Sequence, residues 1–221
     1  MTEEPLKIEV TIAAPADEVW RAMRDPELIR RWHGWHVDSL DAEIRMIYLD
    51  DVTEDAEHHV LETGGDRFSL HSAPGGTTVR LTRGPRGANP EWEAYYDDIT
   101  EGWRTFLAQL RFGLERHGLA ERRTVFLHGP VPGDSLRSTL GVAGIDGAYR
   151  VTLPTGDTFE GEVYSRTELQ LALTVDSIGL LIVADAPKPG GHCLAVLTTY
   201  GFDDFDALNE RWNKWWESLS R

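Results

Sequence analysis

Histidine and glutamate side chains gather in the first third of this sequence, and these residue types bind metals and move protons. The group comprises His33, His36, His58, His59 and Glu62. Zinc requires three or four ligands that converge on one point. If residues 58–62 form a strand, neighbouring side chains such as those of His58 and His59 point to opposite faces and do not converge. The sequence therefore predicts solvated histidines and no metal site.

Charged residues on predicted strands are the better candidates for chemistry. They are Arg45, His59 and Arg67 in the first half, and Arg150, Glu160, Glu162 and Arg166 in the second. A charged group that points into an apolar interior has a shifted pKa, and it can act as an acid, a base or an anion anchor. Strand alternation turns about half of such residues inward, and the sequence leaves open which half. The alternative for each is a place on the outer face of the sheet.

The familiar catalytic motifs are absent from the sequence. It contains no Gly-x-Ser-x-Gly elbow, no His-Glu-x-x-His, no phosphate-binding loop, no dinucleotide-binding glycine pattern and no cysteine pair. Each of these motifs supports a particular nucleophile, metal or cofactor. We therefore expect no cofactor, and we favour a binding protein over an enzyme while leaving the enzyme open.

Two amphipathic helices give the chain its predicted organisation. Residues 99–110 and 208–219 share glutamate, tryptophan and leucine in register, so that Trp103 corresponds to Trp212 at an offset of 109 residues. Apolar residues recur in both at the three- and four-residue spacing of a helix with one buried face. Each helix follows a predicted hairpin, and this repetition suggests a duplicated unit.

The remaining elements follow from apolar periodicity and turn residues. In the first half we predict a strand over 6–13, two short helices that end near Gly34, strands over 44–49, 58–62, 67–71 and 77–82, a loop over 84–90 and a helix over 95–117. The acidic stretch 50–55 is interpreted as a turn. In the second half we predict a strand over 123–127, a helix over 135–140, strands over 149–153, 159–165, 169–175, 180–184 and 193–199, and the terminal helix.

Composition limits the partners and the compartment. The chain has 221 residues, of which 41% are apolar, and a net charge of −15. Such a charge repels phosphate backbones, so nucleic acid and anionic membranes are poor candidates. The single cysteine, Cys193, suits a reducing compartment. No leader opens the sequence and no apolar run is long enough to insert into a membrane, so we expect a cytoplasmic protein.

The pattern resembles the helix-grip superfamily, also called SRPBCC or START-like, and within it the bacterial homologues of the activator of the heat-shock-protein ATPase. In the first half the resemblance lies in residues 10–20 and 25–32, in the hairpin at 75–79 and in Gly102-Trp103. In the second half it is weaker and lies in residues 147–149, 159–163 and 190–191 and in Trp212. It implies an α+β fold in which a curved antiparallel β-sheet wraps around a long C-terminal α-helix. We expect this fold in tandem, as domains over 1–120 and 121–221, with the second shortened; a single integrated fold is the competing geometry.

The resemblance also implies a small hydrophobic or aromatic ligand between sheet and helix. The expected ligand-binding residues are Trp20, Trp32, Trp35, Arg45, His59, Arg67, Trp103, Phe106, Leu107 and Leu110, with Tyr164, Trp212 and Trp216 in the second half. Aromatic stripes at helical spacing also simply fill cores. Two other functions stay open, a polyketide cyclase or dehydratase and a chaperone-activating or other interaction module. A chaperone or a second copy of the chain would then be the partner. Trp215 and Trp216 cannot both face one direction, so we expect one of them to be exposed or at a contact.

Overall fold

The computed structural model describes residues 5–87 and 93–219. The chain divides into two compact units, Met1–Ala120 and Glu121–Arg221, which are called unit 1 and unit 2 below. Each is a helix-grip arrangement, with an antiparallel sheet followed by a C-terminal helix. Among the described residues, no helix has the length and apolar character needed to cross a membrane.

Unit 1 places one sheet against its C-terminal helix. Its helices are α1 (Ala16–Arg24), α2 (Pro26–Ile29), α3 (Leu40–Ile44) and α4 (Tyr96–His117). Its strands are β1 (Lys7–Ile12), β2 (Thr53–Asp55), β3 (Val60–Thr63), β4 (Asp66–Ala73) and β5 (Gly76–Thr82), which pair in the order β1-β5-β4-β3-β2. Alternate residues of β1 and β5, such as Ile8 and Val79, are buried in one core with Trp103, Leu107 and Leu110 of α4. The apolar face of the strands, formed by every second residue, thus packs against the apolar face of α4.

A tight hairpin joins β4 to β5, as the sequence predicts. Gly75 has a φ of 78°, which glycine adopts without strain. Gly76 lies so close to β1 that an added Cβ would come within 2.0 Å of the Ile12 carbonyl oxygen. The pair of glycines therefore sets both the turn and the approach of β5 to β1.

The strand predicted over 44–49 is wrong. Residues Leu40–Ile44 form α3, and Arg45–Leu49 continue it as a π-helical turn. The buried residues are Ile44 and Tyr48, which lie four positions apart on one face, whereas Arg45 and Met46 are exposed. A short apolar run does not by itself distinguish helix from strand, and here tertiary burial selects the helical period.

The neighbouring segment also differs from its prediction. The strand expected over 58–62 is shifted to Val60–Thr63, because His59 has a φ of 51° and lies before the strand. The acidic stretch contains the short strand β2 instead of being only a turn. Residues 88–90, the end of the predicted loop, lie outside the described residues.

Unit 2 follows its predicted element order throughout. Its strands are β6 (Arg123–Gly129), β7 (Ala148–Thr152), β8 (Thr158–Arg166), β9 (Gln170–Val175), β10 (Gly179–Ala184) and β11 (Cys193–Thr199), and its helices are α5 (Leu136–Thr139) and α6 (Phe205–Leu219). The strands pair in the order β6-β11-β10-β9-β8-β7. Leu208 and Trp212 of α6 are buried in one core with strand residues such as Leu173 and Leu181.

Candidate functional site

Three polar side chains form a hydrogen-bonded series inside unit 1. His33 Nε2 lies 3.0 Å from Glu43 Oε1, and His33 Nδ1 lies 3.0 Å from the Tyr48 hydroxyl oxygen. His33 and Tyr48 are completely buried, whereas the Glu43 side chain is 32% exposed. We call Glu43, His33 and Tyr48 the relay. It connects the protein surface to a hydroxyl group in the core.

The short helices of unit 1 hold the histidine of the relay in place. The backbone N–H of His33 donates to Ile29 at the end of α2, and the Trp32 indole donates to the Ala22 carbonyl of α1 at 2.9 Å. Gly34 follows with a φ of 63°, which ends the helical turn. A Cβ at Gly34 would come within 2.8 Å of Leu40. The backbone on both sides of His33 is therefore fixed by hydrogen bonding and close packing.

The π-helical turn brings Tyr48 to His33. Its wide i→i−5 closure is made by Asp50 N–H to the Arg45 carbonyl at 2.7 Å, and such turns often occur at functional sites. Arg24 donates to the Tyr48 carbonyl and also pairs with Glu54 at 2.8 Å. Burial raises the pKa of Tyr48 well above its usual range, and the negative charge of Glu43 acts in the same direction. Tyr48 is therefore a neutral hydroxyl at physiological pH.

The hydrogen-bond partners define the direction in which the relay can move a proton. A carboxylate only accepts hydrogen bonds, so Nε2 of a neutral His33 carries the hydrogen and donates to Glu43. Nδ1 is then the acceptor, and the Tyr48 hydroxyl donates to it. In this arrangement the Tyr48 oxygen can take a proton from a neighbouring molecule while its own proton moves to His33. The resulting imidazolium would face the Glu43 carboxylate.

Aromatic rings surround the relay. The aromatic shell, as we define it, consists of Trp32, Trp35, Phe68, Trp103 and Phe106. The His33 ring lies 4.3 Å from Phe106 and 5.8 Å from Trp103, measured between centroids. Trp32 lies 5.8 Å from Tyr48, and Trp103 lies 5.2 Å from Phe68. Trp35 is half-buried and lies 5.4 Å from Phe106. The surroundings of the relay are thus apolar and aromatic, and Trp35 is the ring of the shell that reaches the surface.

One polar atom of the shell is unsatisfied. The Trp103 indole N–H is buried and has no hydrogen-bond partner within 5–87 and 93–219. An unpaired buried donor destabilises a fold by about 1–3 kcal/mol. The corresponding tryptophan of unit 2, Trp212, donates its indole N–H to Asp157 Oδ2 at 2.9 Å. The two repeats therefore differ at equivalent positions.

The predicted site residues of unit 1 fall into two groups. Trp32, Trp35, Trp103 and Phe106 belong to the aromatic shell, and Leu107 and Leu110 are buried in the same core. The others lie apart from the shell. Trp20 is half-buried, and its ring centroid lies 5.4 Å from that of His59, which in turn lies 3.3 Å from Asp17. Arg45 and Arg67 are exposed. Arg45 pairs with Asp50 and Arg67 with Glu62, each at 3.2 Å.

In the described part of unit 2, the predicted aromatic residues surround no buried histidine. Trp212 is fully buried and stacks on Phe159 at 6.1 Å, and Trp216 and Tyr164 are half-buried. Trp215 and Trp216 are both half-buried, so neither ring is exposed, and the alternative that one of them lies at a contact stays a prediction. The histidines of unit 2, His128 and His192, are exposed.

The charged strand residues of unit 2 lie at the surface. Arg150, Glu160, Glu162 and Arg166 are all exposed. Arg150 pairs with Glu160 across the β7–β8 ladder. For these four residues the outer-face alternative is the correct one.

The relay itself was missed at the level of the sequence. His33 was predicted to be solvated and is instead fully buried, because the turn after α2 places it beneath α4. Among the described residues, no group of three or more His, Cys, Asp or Glu is arranged to hold a metal ion. The available signal was His33 directly after Trp32 at a helix end, together with the apolar spacing of Ile44 and Tyr48.

Comparison with known proteins yields only distant structural likeness. No protein-family model matches the chain, and no curated protein matches its sequence. DynU16, a protein in the dynemicin biosynthetic locus, is 18% identical over 99% of this chain and 97% of its own, with a TM-score of 0.33. The di-domain ARO/CYC protein BexL from the BE-7585A biosynthetic pathway is 14% identical over 89% and 85%, with a TM-score of 0.37. The di-domain ARO/CYC protein StfQ from the steffimycin biosynthetic pathway is 12% identical over 97% of both chains, with a TM-score of 0.34. Likeness at this level does not extend to function.

Proposed function

We propose that unit 1 binds a small, mostly apolar ring molecule within the aromatic shell, and that the relay supplies its polar contact. The observation that carries the proposal is the buried relay enclosed by aromatic rings. Small-molecule sites have this composition, because an apolar lining provides affinity and a few placed polar groups orient the ligand. The ligand would enter beside Trp35, the half-buried ring of the shell.

The charge of the chain favours a neutral ligand. A net charge of −15 repels anions at long range. Phosphorylated cofactors and polyanions are therefore poor occupants, whereas an uncharged aromatic or alicyclic ring enters without this cost. This choice agrees with the hydrophobic or aromatic ligand expected from the sequence.

A titration with 2-naphthol, followed by calorimetry, tests the binding proposal. Phe106→Leu removes a ring that lies 5.7 Å from Trp103 in unit 1, and Phe159→Leu makes the matched change beside Trp212 in unit 2. We expect saturable binding that Phe106→Leu weakens at least about twofold and Phe159→Leu leaves unchanged, since each lost ring contact is worth roughly 0.5–1.5 kcal/mol. Absence of saturable binding, or equal effects of the two variants, would refute the proposal.

A second candidate function is acid–base catalysis of the polyketide cyclase or dehydratase type, and the direction of the relay favours it. A C–H bond next to a ligand carbonyl would break, its electron pair would form the enolate, and the proton would pass to the Tyr48 oxygen. The Tyr48 proton would move to His33 Nδ1, and Glu43 would stabilise the imidazolium. The reverse transfer restores the ketone, so no additional reactant is needed.

Hydrogen–deuterium exchange distinguishes this enzyme from a binding protein. In deuterated water, 2-tetralone exchanges the protons next to its carbonyl, and proton NMR follows the loss of signal. We expect the protein to accelerate exchange and Tyr48→Phe to remove at least about 90% of the acceleration, since a positioned base contributes roughly a hundredfold or more. Tyr149→Phe, which removes a half-buried tyrosine hydroxyl of unit 2, is the control. Exchange at the background rate would refute the catalytic function and leave the binding proposal in place.

The homodimer and the chaperone partner that the sequence suggests stay predictions. The narrower resemblance to activators of the heat-shock-protein ATPase stays a prediction as well.

A further inference from the structure

We infer that the Trp103 indole N–H is a selectivity element of unit 1, which requires the ring ligand to carry a hydrogen-bond acceptor such as a carbonyl oxygen. The inference rests on the proposed binding function and defines the ligand class more closely. It is based on a comparison of the two repeats within the same chain.

Trp212 shows how the fold can satisfy the indole donor at this position with a side chain of its own. Asp157 Oδ2 accepts from the Trp212 indole at 2.9 Å and from the Thr155 hydroxyl at 2.9 Å, while Arg211 donates to Asp157 Oδ1 at 2.6 Å. The Asp157 side chain is only 10% exposed. The acceptor for the tryptophan is thus built into unit 2 and held by further donors.

Unit 1 has no such built-in acceptor for Trp103. Its indole is 5% exposed, and the indole nitrogen has no partner among the described residues. The surrounding side chains are Phe68, Phe106, His33 and Tyr48. The phenyl rings lack acceptor lone pairs, and both nitrogens of His33 are engaged in the relay. The Tyr48 oxygen retains free lone pairs but makes no hydrogen bond with the indole nitrogen. The described part of the protein therefore leaves this donor unsatisfied.

Geometry places this donor beside the relay. The Trp103 ring centroid lies 6.4 Å from Tyr48 and 5.8 Å from His33. These are contact distances between aromatic rings, so the indole and the relay belong to one cluster of side chains. A ring ligand bound in this cluster as proposed would place an acceptor oxygen on the indole N–H and its edge near the Tyr48 oxygen. The ligand class that satisfies both contacts is a neutral cyclic ketone or a ring with a comparable acceptor. A plain hydrocarbon leaves the N–H unpaired.

The test compares 2-tetralone with tetralin, which have the same ring skeleton but differ in the carbonyl. Calorimetry gives the ratio of their dissociation constants for the wild-type protein, for Trp103→Phe and for the control Trp212→Phe. We expect Trp103→Phe to reduce the preference for the ketone about fivefold, the effect of one neutral hydrogen bond. Trp212→Phe should leave the preference unchanged. The ratio within each variant cancels the different hydration of the two compounds.

The outcomes separate the inference from the function on which it rests. If neither compound binds, the binding function fails. If both bind and Trp103→Phe leaves the ratio unchanged, the inference fails while binding stands; an internal water on the indole N–H would give this result. If Trp103→Phe does not fold, the two dissociation constants measured for the wild-type protein still test the inference. The wild-type protein should bind the more water-soluble ketone at least as tightly as tetralin, and the opposite order would overturn the inference.

Discussion

Replacing Trp103 and Trp212 separately by phenylalanine gives two variants whose stabilities should differ widely. Both rings are buried, at 5% and 0% exposure, so the loss of apolar contact is similar in the two changes. The changes in hydrogen bonding affect the free energy of unfolding with opposite signs in the two variants. Trp103→Phe removes an unpaired buried donor, whereas Trp212→Phe deprives the Asp157 carboxylate of a donor.

The size of the difference follows from hydrogen-bond energies. Relief of the unpaired donor is worth about 1–3 kcal/mol, and a hydrogen bond to a charged acceptor contributes about 1.5–3 kcal/mol. Trp212→Phe should therefore be less stable than Trp103→Phe by roughly 2.5–6 kcal/mol. For a unit of about 100 residues this corresponds to at least about 10 °C in Tm.

Differential scanning calorimetry without ligand measures both variants. Each substitution acts on the transition of its own unit, and the order of the two Tm values remains informative if the chain unfolds in one step. An equal loss of Tm in the two variants would refute the reasoning, because it would show that the Trp103 indole N–H is already satisfied, for instance by water.

Three further perturbations test other parts of the structure. Tyr48→Phe leaves the buried Nδ1 of His33 without its donor, and we expect it to lower the free energy of unfolding in urea by about 1–2 kcal/mol. Burial raises the pKa of Tyr48, and burial likewise raises that of Tyr200 to about 12. Their folded-state pKa values thus exceed the unfolded value near 10, so the contribution of these two hydroxyls to stability should be constant up to about pH 10 and fall above it, which alkaline urea titrations of the wild-type protein and of Tyr48→Phe would show. Gly76→Ala places a Cβ within 2.0 Å of a backbone oxygen of β1 and should cost about 2 kcal/mol or more in the same assay, whereas Gly144→Ala meets open space and should stay within about 0.5 kcal/mol of wild type.

The sequence predicted most elements because their apolar periods are unambiguous. The strand at Cys193–Thr199 and the helix at Tyr96–His117 lie within one residue of their predicted bounds. The segment 44–49 failed because Ile44 and Tyr48 fit a helical face, while the residues between them also allow an alternating interpretation. Only packing against the sheet and α4 decides between the two periods.

The relay could not be predicted because its members are dispersed. His33, Glu43 and Tyr48 lie on three separate turns, and their contacts depend on the π-helical closure after α3. The sequence also could not predict that the Trp103 N–H is unsatisfied, because Trp103 and Trp212 occupy equivalent positions in the repeated pattern. Their difference arises from Asp157, which lies in the β7–β8 turn, far from Trp212 in the sequence.

The most direct test of the account is a ¹H–¹⁵N NMR spectrum of the tryptophan indole groups, of which the chain has eight. Trp103→Phe and Trp212→Phe assign two of the signals. With 2-tetralone we predict that the Trp103 indole proton moves downfield on forming a hydrogen bond, while the Trp212 signal stays in place because Asp157 already accepts from it. A Trp103 signal that does not respond at a saturating concentration of the ketone, or a response confined to Trp212, would contradict the assignment of ligand binding to unit 1.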